Sequence, residues 1–374
     1  MCTIVKLDIL NRLDEFKGFL EGETVDRFLE TFDIRFGSGT WAAGGFSDRF
    51  MVRGYFPDLG SDIISRLERI RIAGIKMFVP INVELLNEDL EVRWETVDAV
   101  VEYTKKYNMM AVALAVDLSG IPKFRLGSIT NPDPLLRKKS ISILLNSIEI
   151  AKKLGTDVIS FWPGQDGWDY SFEINYGKML KMFIDNLKLV VEEAMAKGFR
   201  FCIEAKLKEP KEGNIIIPTT HVAIAIAKKI NDELGKSVVG ITIDYGHELM
   251  YAVEPAYTVY LAKLFDVPLL SIHINTAKTH SNDEDRVVGT GDLWQFVDFL
   301  YATIDTGFDG PYILDQFTYR MDPVDGLRLS KEFFANSMKK ALEIYRHRDV
   351  LEKTRDTGDQ VKVLDLIKKI IYTY

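Results

Sequence analysis

Asp244, Gly246 and His247 are the first residues in the sequence whose types and spacing suggest chemistry. Asp244 ends the run 238–243, which is apolar, largely β-branched and typical of a buried strand in a parallel sheet. Gly246 permits a sharp turn that would return His247 toward the Asp244 carboxylate. Such a pair suits a divalent ion, although Asp244 could instead cap a helix while His247 packs in a loop.

Four consecutive predicted strands end in side chains that bind metal ions. These residues are Glu204, Asp244, His273 and Asp315, at the ends of predicted strands five to eight. In a closed barrel of parallel strands the carboxyl ends meet at one mouth, so the four side chains are expected to converge. Three buried carboxylates repel one another unless a cation lies between them. The sequence therefore predicts a site for a divalent ion with a preference for oxygen ligands.

The loop SNDEDRVVGTGD, which follows His273, predicts a second ion. Asp283 and Asp285 form a D-x-D pair that can flank one cation, and His247 supplies a nitrogen ligand. Asp244 would be shared by both ions. Charged loops of this kind are usually solvated, but the neighbouring ligands favour the metal-binding interpretation.

Eight predicted strands alternate with helices, which indicates a (β/α)₈ barrel within an α/β fold. The strands are 34–39, 74–79, 110–116, 158–161, 199–203, 238–243, 269–274 and 312–314. We predict a helical lead-in over 1–30, the catalytic barrel over 31–325 and a C-terminal helical extension over 326–374. The end of that extension, VKVLDLIKKIIYTY, carries apolar residues that the barrel is not expected to cover, which favours a homodimer or homotetramer.

Composition narrows the possible partners and compartment. The net charge of −8 opposes binding to nucleic acid or to an anionic membrane surface, and favours a small neutral or cationic ligand or a metal. The two cysteines, Cys2 and Cys202, provide neither a disulfide framework nor a thiolate zinc cluster. The sequence has no signal-peptide pattern and no run of about 18 apolar residues, so a cytoplasmic location is expected.

The sequence resembles the xylose isomerase superfamily over most of the predicted barrel. The similar segments are GSGTWAAGGF, IEAKLKEP, IDYGHELM, SIHINT, NDEDRVVGTGD and YILDQFTYR. The resemblance implies a two-metal site with Glu204, Asp244, His273 and Asp315 on one ion, and Asp244, His247, Asp283 and Asp285 on the other. It also implies that Lys206 holds a substrate oxygen and that Trp41 and Trp162 form aromatic walls around the substrate.

The sequence also departs from the xylose isomerase pattern. Asp244 replaces the bridging Glu of those enzymes and His273 replaces an Asp, which gives a ligand order similar to that of L-rhamnose isomerases. Phe78 stands where xylose isomerases have a ring-opening His, so ring opening would need another group or solvent.

The function expected from these observations is interconversion of an unphosphorylated aldose and its ketose by hydrogen transfer between C1 and C2, an intramolecular oxidoreduction. Two divalent ions (Mn²⁺, Mg²⁺ or Co²⁺, with Zn²⁺ possible) would act with Lys206, Asp283 and His247. The alternative within the superfamily is a ketose 3-epimerase. A DNA-repair endonuclease of the endonuclease IV type is disfavoured, because its zinc site needs many histidines and this chain has 5.

Overall fold

The computed structural model describes residues 7–48 and 50–373. Cys2 and the first part of the predicted lead-in lie outside the described residues. Among the described residues, nine parallel strands form the wall of the barrel, and two further short strands pair with each other in antiparallel fashion. The strands are β1 (Phe36–Gly39), β2 (Met77–Val79), β3 (Met110–Ala111), β4 (Leu114–Asp117), β5 (Val158–Trp162), β6 (Gly167–Trp168), β7 (Arg200–Glu204), β8 (Asn214–Ile215), β9 (Val239–Asp244), β10 (Leu269–Ile274) and β11 (Tyr312–Leu314).

The barrel wall follows the order β3-β2-β1-β11-β10-β9-β7-β5-β4. Strands β3 and β4 are the two halves of the predicted third strand, which is interrupted at Val112 and Ala113. The first half pairs with β2 and the second with β5. The Ala115 N–H also donates to the Pro80 carbonyl oxygen at 2.9 Å, so the split strand spans the seam of the barrel. The predicted (β/α)₈ fold is thus confirmed.

Helices surround this wall, as the alternating pattern predicts, and capping residues mark the ends of several of them. For example, the Asp133 carboxylate caps the helix Pro134–Leu154, and Gly155 ends it in the left-handed conformation. The helices are α1 (Leu7–Leu10), α2 (Glu23–Thr31), α3 (Ile63–Ile72), α4 (Trp94–Tyr107), α5 (Pro134–Leu154), α6 (Tyr176–Ala196), α7 (Thr220–Leu234), α8 (Tyr245–Met250), α9 (Pro255–Leu264), α10 (Leu293–Thr306), α11 (Pro323–Arg346), α12 (Arg348–Arg355) and α13 (Gln360–Ile371).

The N-terminal lead-in lies on the outside of the barrel against α11. Asn336 of α11 accepts from the Leu20 N–H at 2.8 Å and donates to the Leu20 carbonyl oxygen at 2.9 Å. Phe28 of α2 is fully buried against Phe16 and Phe32. The lead-in is therefore held against α11 by hydrogen bonds and is itself stabilised by apolar packing.

The predicted boundary at residue 325 falls inside a helix. Helix α11 runs from Pro323 to Arg346 and serves as the eighth helix of the barrel, so the C-terminal extension begins after Arg346. The expectation that the barrel leaves the last segment uncovered is wrong for one of its faces. Ile371 is buried, and Lys340 of α11 donates to the carbonyl oxygens of Ile370 and Thr373 at 3.1 and 2.8 Å.

In the part of the chain that the structure describes, no helix combines the length and apolar character needed to cross a bilayer.

Candidate metal centre

The four predicted strand-end ligands converge at the mouth of the barrel. Glu204, Asp244 and His273 lie on β7, β9 and β10, and Asp315 follows β11. One ligand atom from each lies within 4.8 Å of the others. His273 Nδ1 is 3.3 Å from Glu204 Oε2, 3.1 Å from Asp315 Oδ2 and 4.0 Å from Asp244 Oδ2. An imidazole nitrogen and three carboxylates thus surround one point, as the parallel register of the strands requires.

The hydrogen bonding of this group fits a divalent ion. His273 Nδ1 is buried and has no hydrogen-bond partner among the described residues, although it faces three carboxylates. Burial opposes a charge on the ring, but the Glu204 carboxylate raises the pKa of His273 well above its usual value. The three carboxylates thus carry more negative charge than the His273 ring can neutralise. A cation bound between these oxygen and nitrogen ligands would neutralise that charge and also give His273 Nδ1 a partner.

Asp244 has the expected helix-capping role, and His247 lies on the capped helix rather than in a loop. Asp244 caps α8, because its Oδ1 accepts from the His247 N–H at 2.9 Å. The same helical turn, rather than the expected sharp loop at Gly246, returns the His247 ring to the centre. Burial is the main reason that the pKa of Asp244 rises to about 7.

The orientation of His247 directs one ring nitrogen toward the Ala205 backbone and the other toward the carboxylates of the centre. Its Nδ1 lies 2.8 Å from the Ala205 carbonyl oxygen, which can only accept, so Nδ1 carries a hydrogen. The opposite nitrogen, Nε2, lies 2.9 Å from Asp283 Oδ2. Burial opposes protonation, yet Asp244 and Asp283 raise the pKa of His247 to about 10. A backbone carbonyl that fixes one nitrogen while the other faces a carboxylate is a common environment of metal-binding histidines.

A second candidate ligand group lies beside the first and shares Asp244. Ligand atoms of Asp244, His247 and Asp283 lie within 4.8 Å of one another. Asp283 Oδ1 is buried and has no hydrogen-bond partner among the described residues. Asp285, the fourth predicted ligand, lines the same cavity but joins neither group of described ligands, and its Oδ1 accepts from Asn275 Nδ2 at 2.9 Å.

Lys206 extends from the end of β7 into this second group. Its Nζ lies 2.8 Å from Asp283 Oδ2 and 3.5 Å from Glu209 Oε2. It also lies 5.4 Å from the centre of the Trp162 ring. Burial opposes the charge, but Asp283 and Asp285 raise the pKa of Lys206 above its usual value, so the side chain is an ammonium ion. Lys206 and His247 in turn hold the pKa of Asp283 below its usual value despite its burial.

The two groups open into a cavity of about 380 Å³, a volume typical of small-molecule sites. Trp41 and Trp162 line it, as expected of aromatic walls. Trp41 has a further contact, because its Nε1 donates to Asp315 Oδ1 at 2.7 Å. The other lining residues are Ile81, Ala115, Val116, Asp117, Ser160, Glu204, Lys206, Glu209, His247, His273, Asp283, Asp285, Asp315, Phe317 and Tyr319.

Asn275 and Glu209 lie at the centre but were not found from the sequence. Asn275 is fully buried and contacts Asp244 and Asp285. The sequence does indicate Asn275 in one way, because this polar residue lies two positions after His273 and just past the end of a strand. Glu209 lies in the charged run KLKEPKE, where nothing distinguishes it from its solvated neighbours.

Comparison with known proteins supports the class that the fold and site suggest. Residues 68–337 match the family described as xylose isomerase-like TIM barrel, and because this is more than half of the chain, the protein belongs to that family. The resemblance in the sequence is thereby confirmed.

Three individual proteins that match the chain share 24% sequence identity or less with it. A probable sugar isomerase from Mesorhizobium japonicum is 24% identical over 252 residues, which are 66% of this chain and 55% of that protein. The chain thus spans about half the length of this curated relative. Among solved structures, a D-tagatose 3-epimerase-like protein has a TM-score of 0.63 at 19% identity, with 84% of this chain and 99% of that chain covered. An L-ribulose 3-epimerase has a TM-score of 0.63 at 13% identity, covering 83% and 97%. These structural likenesses show the fold alone.

Proposed function

We propose that the protein is a metal-dependent aldose–ketose isomerase that acts on an unphosphorylated monosaccharide. The observation that carries this proposal is the second ligand group of Asp244, His247 and Asp283, which adjoins the first and is contacted by the ammonium of Lys206. An isomerase must stabilise charge on two neighbouring sugar oxygens at once, so two adjacent cationic positions suit its reaction.

The strand-end residues would hold one divalent ion, and the second group, with Asp285 close by, would hold another. Bound ions of this kind supply Lewis-acid stabilisation of developing charge on carbonyl and hydroxyl oxygens. The reaction moves one hydrogen between C1 and C2 of the sugar and one proton between the oxygens on these carbons.

The side chains of the cavity have separate tasks in this reaction. Lys206 Nζ would donate to a substrate oxygen, and Asp283 Oδ2 holds that ammonium charged and oriented at 2.8 Å. Trp41 and Trp162 would cover the reacting carbons and exclude water from them.

The charge of the cavity supports an unphosphorylated substrate. Among the described residues that line it, Lys206 is the only lysine or arginine. Six carboxylate side chains also line it, namely Asp117, Glu204, Glu209, Asp283, Asp285 and Asp315. A phosphate group would meet repulsion here in the absence of a cluster of donors, whereas neutral hydroxyl groups can donate to these oxygens.

A ketose 3-epimerase is the second candidate, and one observation favours it. Glu204, Asp244, His273 and Asp315 form a complete four-ligand group without Asp283, and Asp285 is turned toward Asn275. A single ion could therefore suffice. The names of the solved structures with the same fold, a D-tagatose 3-epimerase-like protein and an L-ribulose 3-epimerase, agree with this alternative.

Ketoses labelled with deuterium at C3 distinguish the two reactions in one measurement. We would incubate the protein with Mn²⁺ or Co²⁺ and a panel of labelled ketopentoses and ketohexoses, and follow the products by NMR. The isomerase converts a ketose to its aldose and retains the C3 deuterium, because its chemistry is confined to C1 and C2. The epimerase inverts C3 and releases the deuterium to water.

Retained deuterium in a new aldose would support the isomerase, whereas deuterium loss with C3 inversion would replace it by the epimerase. If no ketose reacts with either metal, both assignments fail. The Glu204→Gln variant is the control for contaminating activity, because either reaction at this centre needs that carboxylate.

A further inference from the structure

Asn275 contacts two carboxylates of the candidate metal centre. It follows β10 directly and is fully buried. Its Nδ2 lies 3.2 Å from each carboxylate oxygen of Asp244 and 2.9 Å from Asp285 Oδ1. One amide group thus bridges Asp244, which both ligand groups share, and Asp285, which belongs to neither group.

A neutral amide suits this position better than a charged side chain would. Its NH₂ group has two hydrogens, so it can hold two carboxylates close together without adding a positive charge. A lysine or arginine here would compete with a divalent cation for the same oxygens. Each carboxylate also keeps lone pairs that face away from the amide, since it can accept about four hydrogen bonds.

Gly246 permits the close approach that keeps this amide in place. A Cβ atom at residue 246 would lie 2.6 Å from Asn275 Oδ1, which is closer than these atoms can pack, and it would make a tight contact of 3.2 Å with Nδ2, so the amide would have to shift. Asn275 Oδ1 has no hydrogen-bond partner among the described residues. The amide is therefore held by hydrogen bonds to carboxylates on one side and by contact with α8 on the other.

The backbone of Asp285 is fixed independently of this contact. Asp285 has a φ of 43°, in the left-handed region, and its carbonyl oxygen accepts from the Phe317 N–H at 2.8 Å. Only the direction of its carboxylate then remains to be set, and the hydrogen bond from Asn275 Nδ2 sets it.

We propose that Asn275 is a positioning residue that, through the space left at Gly246, holds the Asp244 and Asp285 carboxylates side by side and so forms the site of the second divalent ion. The proposal rests on the proposed function, because it requires divalent ions at this centre. To that function it adds a role for Asn275 and Gly246, which together would set the affinity of the second ion.

Titration of the chelator-treated, full-length protein with Mn²⁺ tests this role by calorimetry. We expect the parent protein to bind two ions. Asn275→Ala and Gly246→Ala should each weaken one of the two sites about tenfold or more, because residues that orient metal ligands typically have effects of this size. The absorption spectrum of the Co²⁺-loaded protein should change in both variants, since it reports ligand geometry.

The double variant gives the sharpest measurement. An alanine at residue 246 acts by displacing the Asn275 amide, so it should cost no further affinity once that amide has been removed. The double variant should therefore bind Mn²⁺ as Asn275→Ala does. Gly246→Ala also keeps the test available if Asn275→Ala does not fold.

Asn231→Ala is the matched control. Asn231 is a buried asparagine of α7 whose amide bonds to the backbone of Val238 and Val239, remote from the ligand groups. The Asn231→Ala substitution should lower the melting temperature and leave Mn²⁺ binding unchanged. Parent-like Mn²⁺ affinity in both Asn275→Ala and Gly246→Ala, or additive losses in the double variant, would overturn the proposal. A parent protein that binds no Mn²⁺ would instead overturn the proposed function, and this role with it.

Discussion

The charge of Lys206 is stabilised by carboxylates rather than by water. Its Nζ contacts Asp283 within a buried site, and its side chain leaves little surface exposed. An ammonium ion here competes with a metal ion for Asp283. Metal binding alone therefore gives no reason for a lysine at this position. Its direction into the cavity therefore points to contact with a substrate oxygen.

We expect Lys206→Met to retain both divalent ions and to lower kcat by about 100-fold or more. Methionine keeps the length of the side chain but cannot donate to an oxygen that gains charge in the transition state. Steady-state kinetics and Mn²⁺ titration measure the two properties separately. Lys208→Met is the matched control from the same loop, with parent-like turnover expected. If Lys206→Met turns over sugar as fast as the parent, the lysine has no role in the reaction.

At the residue scale, the positions that end strands could be predicted and those that support them could not. Glu204, Asp244 and His273 each end an apolar run, and parallel strands place such residues at one mouth. Asn275 and the direction of the Asp285 carboxylate depend on how closely α8 approaches β10, which is a property of tertiary packing. No local pattern in the sequence encodes that distance.

At the scale of elements, the loops around the mouth are joined by one buried carboxylate. Asp166 lies between β5 and β6 and accepts from the backbone N–H groups of Ser128 and Thr130, both at 2.9 Å, and from both of their hydroxyl groups. Its carbonyl oxygen accepts from the Ile216 N–H at 2.8 Å. Segments from three different loops therefore meet at this one residue.

Asp166→Ala should lower the free energy of unfolding by about 3 kcal/mol or more, because it leaves several buried donors without an acceptor. Urea denaturation measures this change. Asp185→Ala is the control, since the Asp185 carboxylate is exposed on α6 and pairs with Lys181, and its loss should cost at most about 1 kcal/mol. Equal effects of the two substitutions would contradict the anchoring role of Asp166.

Long elements were predictable because their apolar residues repeat with a regular period. Helices Tyr176–Ala196 and Leu293–Thr306, for example, bury apolar residues at helical spacing along one side. Helix α8 has 6 residues and the paired strands β6 and β8 have 2 residues each, which is too short for a period to emerge. This antiparallel pair also joins segments more than 40 residues apart, so only the tertiary fold brings them together.

At the scale of the whole molecule, the C-terminal extension has two different faces. Leu351 and Ile371 are buried against the barrel, and Lys340 of α11 contacts the end of α13. Periodicity predicts that α13 has an apolar face but cannot identify the neighbour that covers it. Val361 and Leu364, which define the outer face of α13 here, remain exposed at 70% and 55%, although Leu364 also lines a surface cavity together with Ile371.

The prediction of self-association therefore belongs to the outer face of α13. Removal of the segment after residue 350 would strip cover from the barrel as well as from any interface, so surface substitutions give a cleaner test. We expect the Val361→Lys, Leu364→Glu double variant to have a lower mass than the parent by light scattering, because charged side chains cannot be buried there without partners. Its melting temperature should stay close to that of a Lys362→Glu control, since all three positions are exposed on one helix. If the parent is already a monomer, or if its mass does not change in the double variant, the outer face of α13 is not an interface between copies of the chain.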